Sequence, residues 1–145
     1  MATSRAASSD ATRNSGWLPA LLVGGRIVGA GLTAAMGWIH LDLWVDGYRE
    51  IPTIGTLFLL NGIGAALLAI ALLGTLTRWL AAVSGLGALF TAGTLAALIA
   101  SLTVGVFGFV EYWQAPLVLS TVVVESAGTV VLAGLAAMSL SRRAR

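Results

Sequence analysis

The sequence predicts an all-α membrane protein: an antiparallel four-transmembrane-helix bundle with both termini cytoplasmic. Three observations lead there. Four apolar stretches each approach or exceed the roughly 20 residues that a bilayer crossing needs. Short polar or aromatic breaks separate them, and the arginines gather at alternate breaks. Of 145 residues, 58% are hydrophobic and only 10% charged, against about 25% charged in soluble domains. With a mean hydropathy of +0.94, a water-soluble fold has nowhere to hide that much apolar surface.

Residues 1–15 are rich in Ala, Ser and Thr, carry Arg5, Asp10 and Arg13, and show no apolar period; they are expected to be a disordered cytoplasmic tail. The membrane domain is expected over 16–140. Its first helix, 17–41, follows Asn14 and Ser15, both suited to capping, and carries Pro19 where a missing N–H costs nothing. It is apolar except for Arg26 and spans about 37 Å. Arg26 interrupts the run, and no small-x-small cleavage site precedes polar sequence, which argues against a cleaved signal peptide.

The second helix is expected over 54–75, the third over 79–101 and the fourth over 116–140. Between the second and third only Leu76, Thr77 and Arg78 remain, enough for a tight antiparallel turn. The last loop is aromatic, with Phe107, Phe109, Tyr112 and Trp113 around Glu111. Residues 141–145 form a basic tail.

Orientation follows from the arginines. Arg5, Arg13, Arg78, Arg142, Arg143 and Arg145 fall on one side and Arg49 alone on the other, so the termini are expected in the cytoplasm and the chain in the inner (plasma) membrane. Trp38, Trp44, Tyr48, Tyr112 and Trp113 make an expected outer aromatic belt, and Trp17 and Trp79 an inner one. The net charge of +2 belongs to this topology. No basic helix or aromatic-interleaved patch invites nucleic acid.

On the first helix Arg26, Ala30, Thr33, Gly37, His40 and Trp44 alternate at spacings of four and three, which puts them on one inward stripe. Gly25 and Gly29 permit close approach beside it. The third helix offers two stripes, one through Ser84, Ala88, Ala92, Ala96 and Ala100, the other through Ser84, Gly87, Thr91, Thr94, Leu98 and Ser101. Gly64 on the second helix and Gly128 on the fourth complete the expected packing positions.

Glu125 is the sharpest chemical signal, because a carboxylate inside a span faces the bundle and marks a candidate functional site. Its level lies about 13 Å from the outer start of its helix, whereas Arg26 lies about 9 Å deeper. Side chains lean toward their own helix N-terminus, which separates the two further. The same lean favours His40, the only histidine, with Asn61 near the Glu125 level and Thr33 and Thr121 on neighbouring turns. These five residues are expected to share a pocket suited to holding or passing a proton, or else to fix the bundle's register by hydrogen bonds. Arg26 is expected to snorkel to headgroups.

Other chemistry is not expected. Cysteine is absent, which removes thiolate metal sites and paired-cysteine redox chemistry. One histidine excludes haem held by two. His40, Asp42, Asp46, Glu50 and Glu111 lack the spacing of a metal site. Gly29 to Ala34 matches a dinucleotide fingerprint in letters only, with no strand before it. No nucleophile with its base is visible, so neither an enzyme nor a cofactor is expected.

The run from His40 through Trp44, followed by Gly47 through Phe58, resembles small four-helix integral membrane proteins of actinobacteria with a similar histidine-led first hairpin. The resemblance implies topology, and no activity or functional residue. The function expected from the residues is that of an accessory or self-assembling subunit, with glycine and alanine faces as its contacts. The bilayer and either further copies or a larger membrane complex are its expected partners. The alternative is a proton-coupled small-solute carrier or channel using Glu125, Asn61 and His40.

Overall fold

The computed structural model describes residues 17–144. Four helices follow one another: α1 (Trp17–Val45), α2 (Ile54–Gly74), α3 (Leu80–Thr103) and α4 (Val118–Ser141). All four are long and apolar enough to cross a membrane. Among the described residues there is no strand, only a single bridge between Val106 and Phe109. The expected N-terminal tail and Arg145 lie outside the described residues.

The helix ends differ from expectation for identifiable reasons. α1 runs one turn past Leu41, because nothing before Gly47, at φ +132°, breaks a helix. His40 and Trp44 therefore sit on a rigid element. α4 starts two residues late because Leu117 adopts a left-handed φ of +62°, which cannot belong to the helix. The links Tyr48–Glu50 and Thr77–Trp79 are single 3-10 turns.

α1 packs on α2 and α4, and α3 packs on α4, whereas α2 and α3 meet sparsely. Ala30, Thr33, Gly37 and His40 are buried along α1, with Arg26 and Trp44 half-buried at the two ends of the stripe. On α3 the stripe through Gly87, Thr91 and Ser101 faces inward, and the alanine stripe lies on its flank with Ala96 exposed. Leu132 of α4 is the central knob. It packs with Ala30 and Leu72, and a β-carbon on Gly29 would come within 2.7 Å of it.

The guanidinium of Arg26 does not leave the bundle. It donates to the carbonyls of Leu72 and Thr75 at the end of α2, where carbonyls have no partner in their own helix and cations are favoured. The headgroup role expected for Arg26 is thus replaced by a cap on a neighbouring helix. Arg26→Gln is expected to lower unfolding stability by about 1–2 kcal/mol and to loosen the end of α2, measured by unfolding in detergent and by hydrogen exchange at Thr75 and Leu76.

Candidate functional site

α4 carries Thr121, Glu125 and Gly128 on its buried face, opposite the His40 end of α1. Glu125 is 0% exposed. Among the described residues neither of its carboxylate oxygens has a well-formed hydrogen bond, although the Thr94 hydroxyl lies near enough to act on it, and the approach to His40 is the one ion-pair contact it makes, 3.9 Å from Oε1 to Nε2. The far side of the imidazole decides the tautomer. Nδ1 lies 3.0 Å from the Met36 carbonyl oxygen, which only accepts, so Nδ1 carries a hydrogen. In a neutral ring Nε2 then presents a lone pair to Glu125. A lone pair facing a buried carboxylate anion is repulsive, so the pair is compatible with its burial when at least one of the two facing groups carries a proton.

Beside this pair lies a cavity of about 120 Å3. It fills the space where α2 and α3 diverge, at the end of the bundle that carries the α1–α2 and α3–α4 loops. His40, Asn61, Thr94, Ser101, Thr121 and Glu111 supply its polar wall, and the rest is apolar. Glu125 is not part of the wall, and His40 connects it to the cavity. Thr94 and Thr121 donate to carbonyls of their own helices, Phe90 and Leu117, both at 2.8 Å. Among the described residues two wall atoms have no partner: Asn61 Oδ1 and Ser101 Oγ.

An aromatic stack roofs the cavity. The Phe58 ring lies 4.9 Å from His40 and 4.7 Å from Tyr48, and Tyr48 meets Phe109 edge-on at 5.8 Å. The Tyr48 hydroxyl donates to Glu111 Oε2 at 2.6 Å. Glu111 is itself buried and held by the Tyr112 amide at 3.1 Å, and its own amide donates to the Ser101 carbonyl at 3.1 Å. Tyr48, expected at the headgroups, thus turns inward as a latch. Val106 to Phe109 closes as a two-residue turn with Phe107 and Gly108 both at positive φ. This geometry favours Asn-Gly and strains a phenylalanine.

Burial, and then the hydrogen bond to Glu111, push the Tyr48 phenol above its ordinary value of 10.0. A raised folded value means that the contact stabilises fully below the unfolded value and is lost as pH rises past it. Tyr48→Phe is expected to cost about 1–2 kcal/mol near neutrality and to flatten the alkaline fall of stability above about pH 10, measured by unfolding across that range.

The other sequence candidates fall into place as follows. Thr33 is fully buried but donates to the Gly29 carbonyl at 2.8 Å, outside the cavity. Gly25, Gly29, Gly37, Gly64 and Gly128 all face neighbouring helices of the same chain. Ala88 packs beside Leu132, and Ala92 is half-buried. Trp38, Tyr112 and Trp113 are exposed and Trp44 is half-buried. Asp42, Asp46 and Glu50 are exposed, and among the described residues no three His, Asp or Glu side chains cluster as for a metal. Sequence reasoning missed Phe58, Ser101 and Phe109 as wall residues. Ser101 was legible as the last polar position of the α3 heptad stripe, whereas nothing local marks Phe58 or Phe109.

No protein-family model, curated protein or solved structure matches the chain.

Proposed function

We propose that the chain is a multi-pass protein of the inner (plasma) membrane with cytoplasmic termini, and that it is a proton-coupled carrier or channel for a small solute, using His40, Asn61 and Glu125. The observation that carries the reading is a fully buried carboxylate with no well-formed hydrogen bond among the described residues, 3.9 Å from an imidazole on a cavity wall. Retaining such a group is costly unless it works. The charge distribution supports the orientation. Arg78, Arg142 and Arg143 lie at the end of the bundle away from the cavity, and Asp42, Asp46, Glu50 and Glu111 lie at the cavity end.

The test is proton movement itself. Vesicles holding the purified chain and an enclosed pH dye are given a pH step across the membrane. Wild type should dissipate it faster than protein-free vesicles, and Glu125→Gln should return the rate to that of protein-free vesicles. Equal rates for wild type and empty vesicles would remove the proton role.

The accessory or self-assembling reading has its own support. Gly24 and Gly31 on α1, and Gly85 and Gly93 on α3, have open space where a β-carbon would stand. They leave backbone bare on outward faces, as helix–helix contacts in membranes require. The glycines expected to make such contacts are instead used inside the bundle, so outward ones, Gly134 on α4 among them, would carry any assembly. Cysteine pairs at Gly24 and Gly31, cross-linking between copies in native membranes, would favour it.

A further inference from the structure

The proton site leaves open what the cavity holds. Its wall is chiefly apolar, and acceptors are among its few polar groups. Asn61 Oδ1 and Ser101 Oγ are unpartnered, on residues 6% and 8% exposed. The Thr121 hydroxyl donates to its own helix at Leu117, which leaves it lone pairs for the cavity, whereas the Thr94 hydroxyl is shared among Phe90, Thr91 and Met36 Sδ. Among the described residues Glu111 is the one carboxylate on the wall and adds further acceptor capacity, and no arginine lines it. The remaining wall comes from Leu43, Leu57, Phe58, Leu98 and Val118 among others. An occupant that donates to both unpartnered oxygens brings at least two hydrogen-bond donors on a small head, and an apolar body.

Size narrows it further. A dry engineered cavity of roughly 150 Å3 admits benzene, so a space of about 120 Å3 takes a body of about five or six non-hydrogen atoms. An alcohol brings one donor hydrogen, whereas an amine brings two or three, enough to meet Asn61 Oδ1 and Ser101 Oγ together.

We infer that the cavity is the binding site of a small primary amine with a compact apolar body, its nitrogen donating to Asn61 Oδ1 and Ser101 Oγ. The inference rests on the carrier reading above and names its solute class. His40 forms the same wall, so an amine seated there lies one side chain from Glu125, and its arrival and the proton pair are coupled through the imidazole.

The experiment uses three probes of equal shape: cyclopentylamine, cyclopentanol and methylcyclopentane. Each is titrated against the purified full chain in detergent at one pH, with binding read from the rise in melting temperature. The expected order is amine, then alcohol, then hydrocarbon, the amine binding at least about tenfold more tightly than the hydrocarbon, the equivalent of one good hydrogen bond. Asn61→Leu, which keeps the volume, should erase that preference, and Ser101→Ala should reduce it should the first variant not fold. Hydrocarbon binding as tight as amine binding in wild type overturns the inference, as does an amine preference that survives both variants. The vesicle assay separates the two readings. Proton flux lost in Glu125→Gln but no amine preference removes the solute class alone. Amine binding that depends on Asn61 without proton flux keeps the site and removes the carrier.

Discussion

Gly37→Ala is expected to lower unfolding stability by about 1–3 kcal/mol. A β-carbon at Gly37 would stand 2.8 Å from the Ala65 β-carbon and 3.2 Å from the Gly62 carbonyl oxygen. Ala65 is 0% exposed, and neither it nor a backbone oxygen can rotate aside. α1 and α2 would have to separate along their shared interface, where Gly62 also lies against Leu41. The clash is chiefly with one methyl group, so Ala65→Gly in the same chain should recover part of the loss. Gly31→Ala is the control. It meets nothing within 4 Å, and helix propensity alone makes it neutral or stabilising by up to about 1 kcal/mol. Unfolding in detergent reads all three. The hairpin also positions the site, since it holds His40 and Asn61 on facing helices, so Gly37→Ala should weaken amine binding as well.

Glu125→Leu is expected to make the protein more stable, by about 1–3 kcal/mol, and inactive. Among the described residues the carboxylate has no well-formed hydrogen bond, so its removal gives up at most the weak approaches of His40 and Thr94 and ends the cost of burying an unsatisfied group. His40 keeps its Met36 contact through Nδ1. A carboxylate serving as structural glue behaves in the opposite way, because breaking a satisfied buried pair is destabilising. Gain of stability with loss of proton flux is the signature of a group retained for function. A fall in stability with Leu, restored by Gln, would identify Glu125 as a hydrogen-bonded register pin.

The four apolar helices were legible in length and composition, because each span must be long and apolar enough to be recognised without tertiary context. The inward stripe of α1 was legible for a related reason, since Ala30, Thr33, Gly37 and His40 repeat at the helical period. The choice between the two α3 stripes was not legible. Small residues surround that helix, and only the position of Leu132 on α4 decides which face turns in. Helix ends resisted as well. A left-handed Leu117 has no composition signal, and nothing in the last turn of α1 announces where it stops before Gly47.

The candidate site was half legible. The depth of Glu125 and the lean of His40 follow from helix geometry, and the two meet at 3.9 Å. Arg26 and Tyr48 show where such arithmetic ends. A guanidinium near a helix end serves headgroups or a neighbouring helix equally well in sequence, and the packing of α1 on α2 selects the carbonyls of Leu72 and Thr75. Tyr48 reads as an interface anchor until the folded α3–α4 loop brings Glu111 to its hydroxyl. The cavity was not legible, because it arises from the sparse contact of α2 with α3, a long-range fact with no local pattern.

The proposed function requires that the Glu125–His40 pair take up and release a proton. Infrared difference spectroscopy of the reconstituted chain, recorded between acid and alkaline buffer, tests it most directly by following the carbonyl stretch of a protonated carboxylic acid. Wild type should show such a band that disappears with rising pH, is absent in Glu125→Gln and moves its midpoint in His40→Phe. A spectrum with no titrating carboxyl band, or one identical in wild type and Glu125→Gln, would contradict the claim.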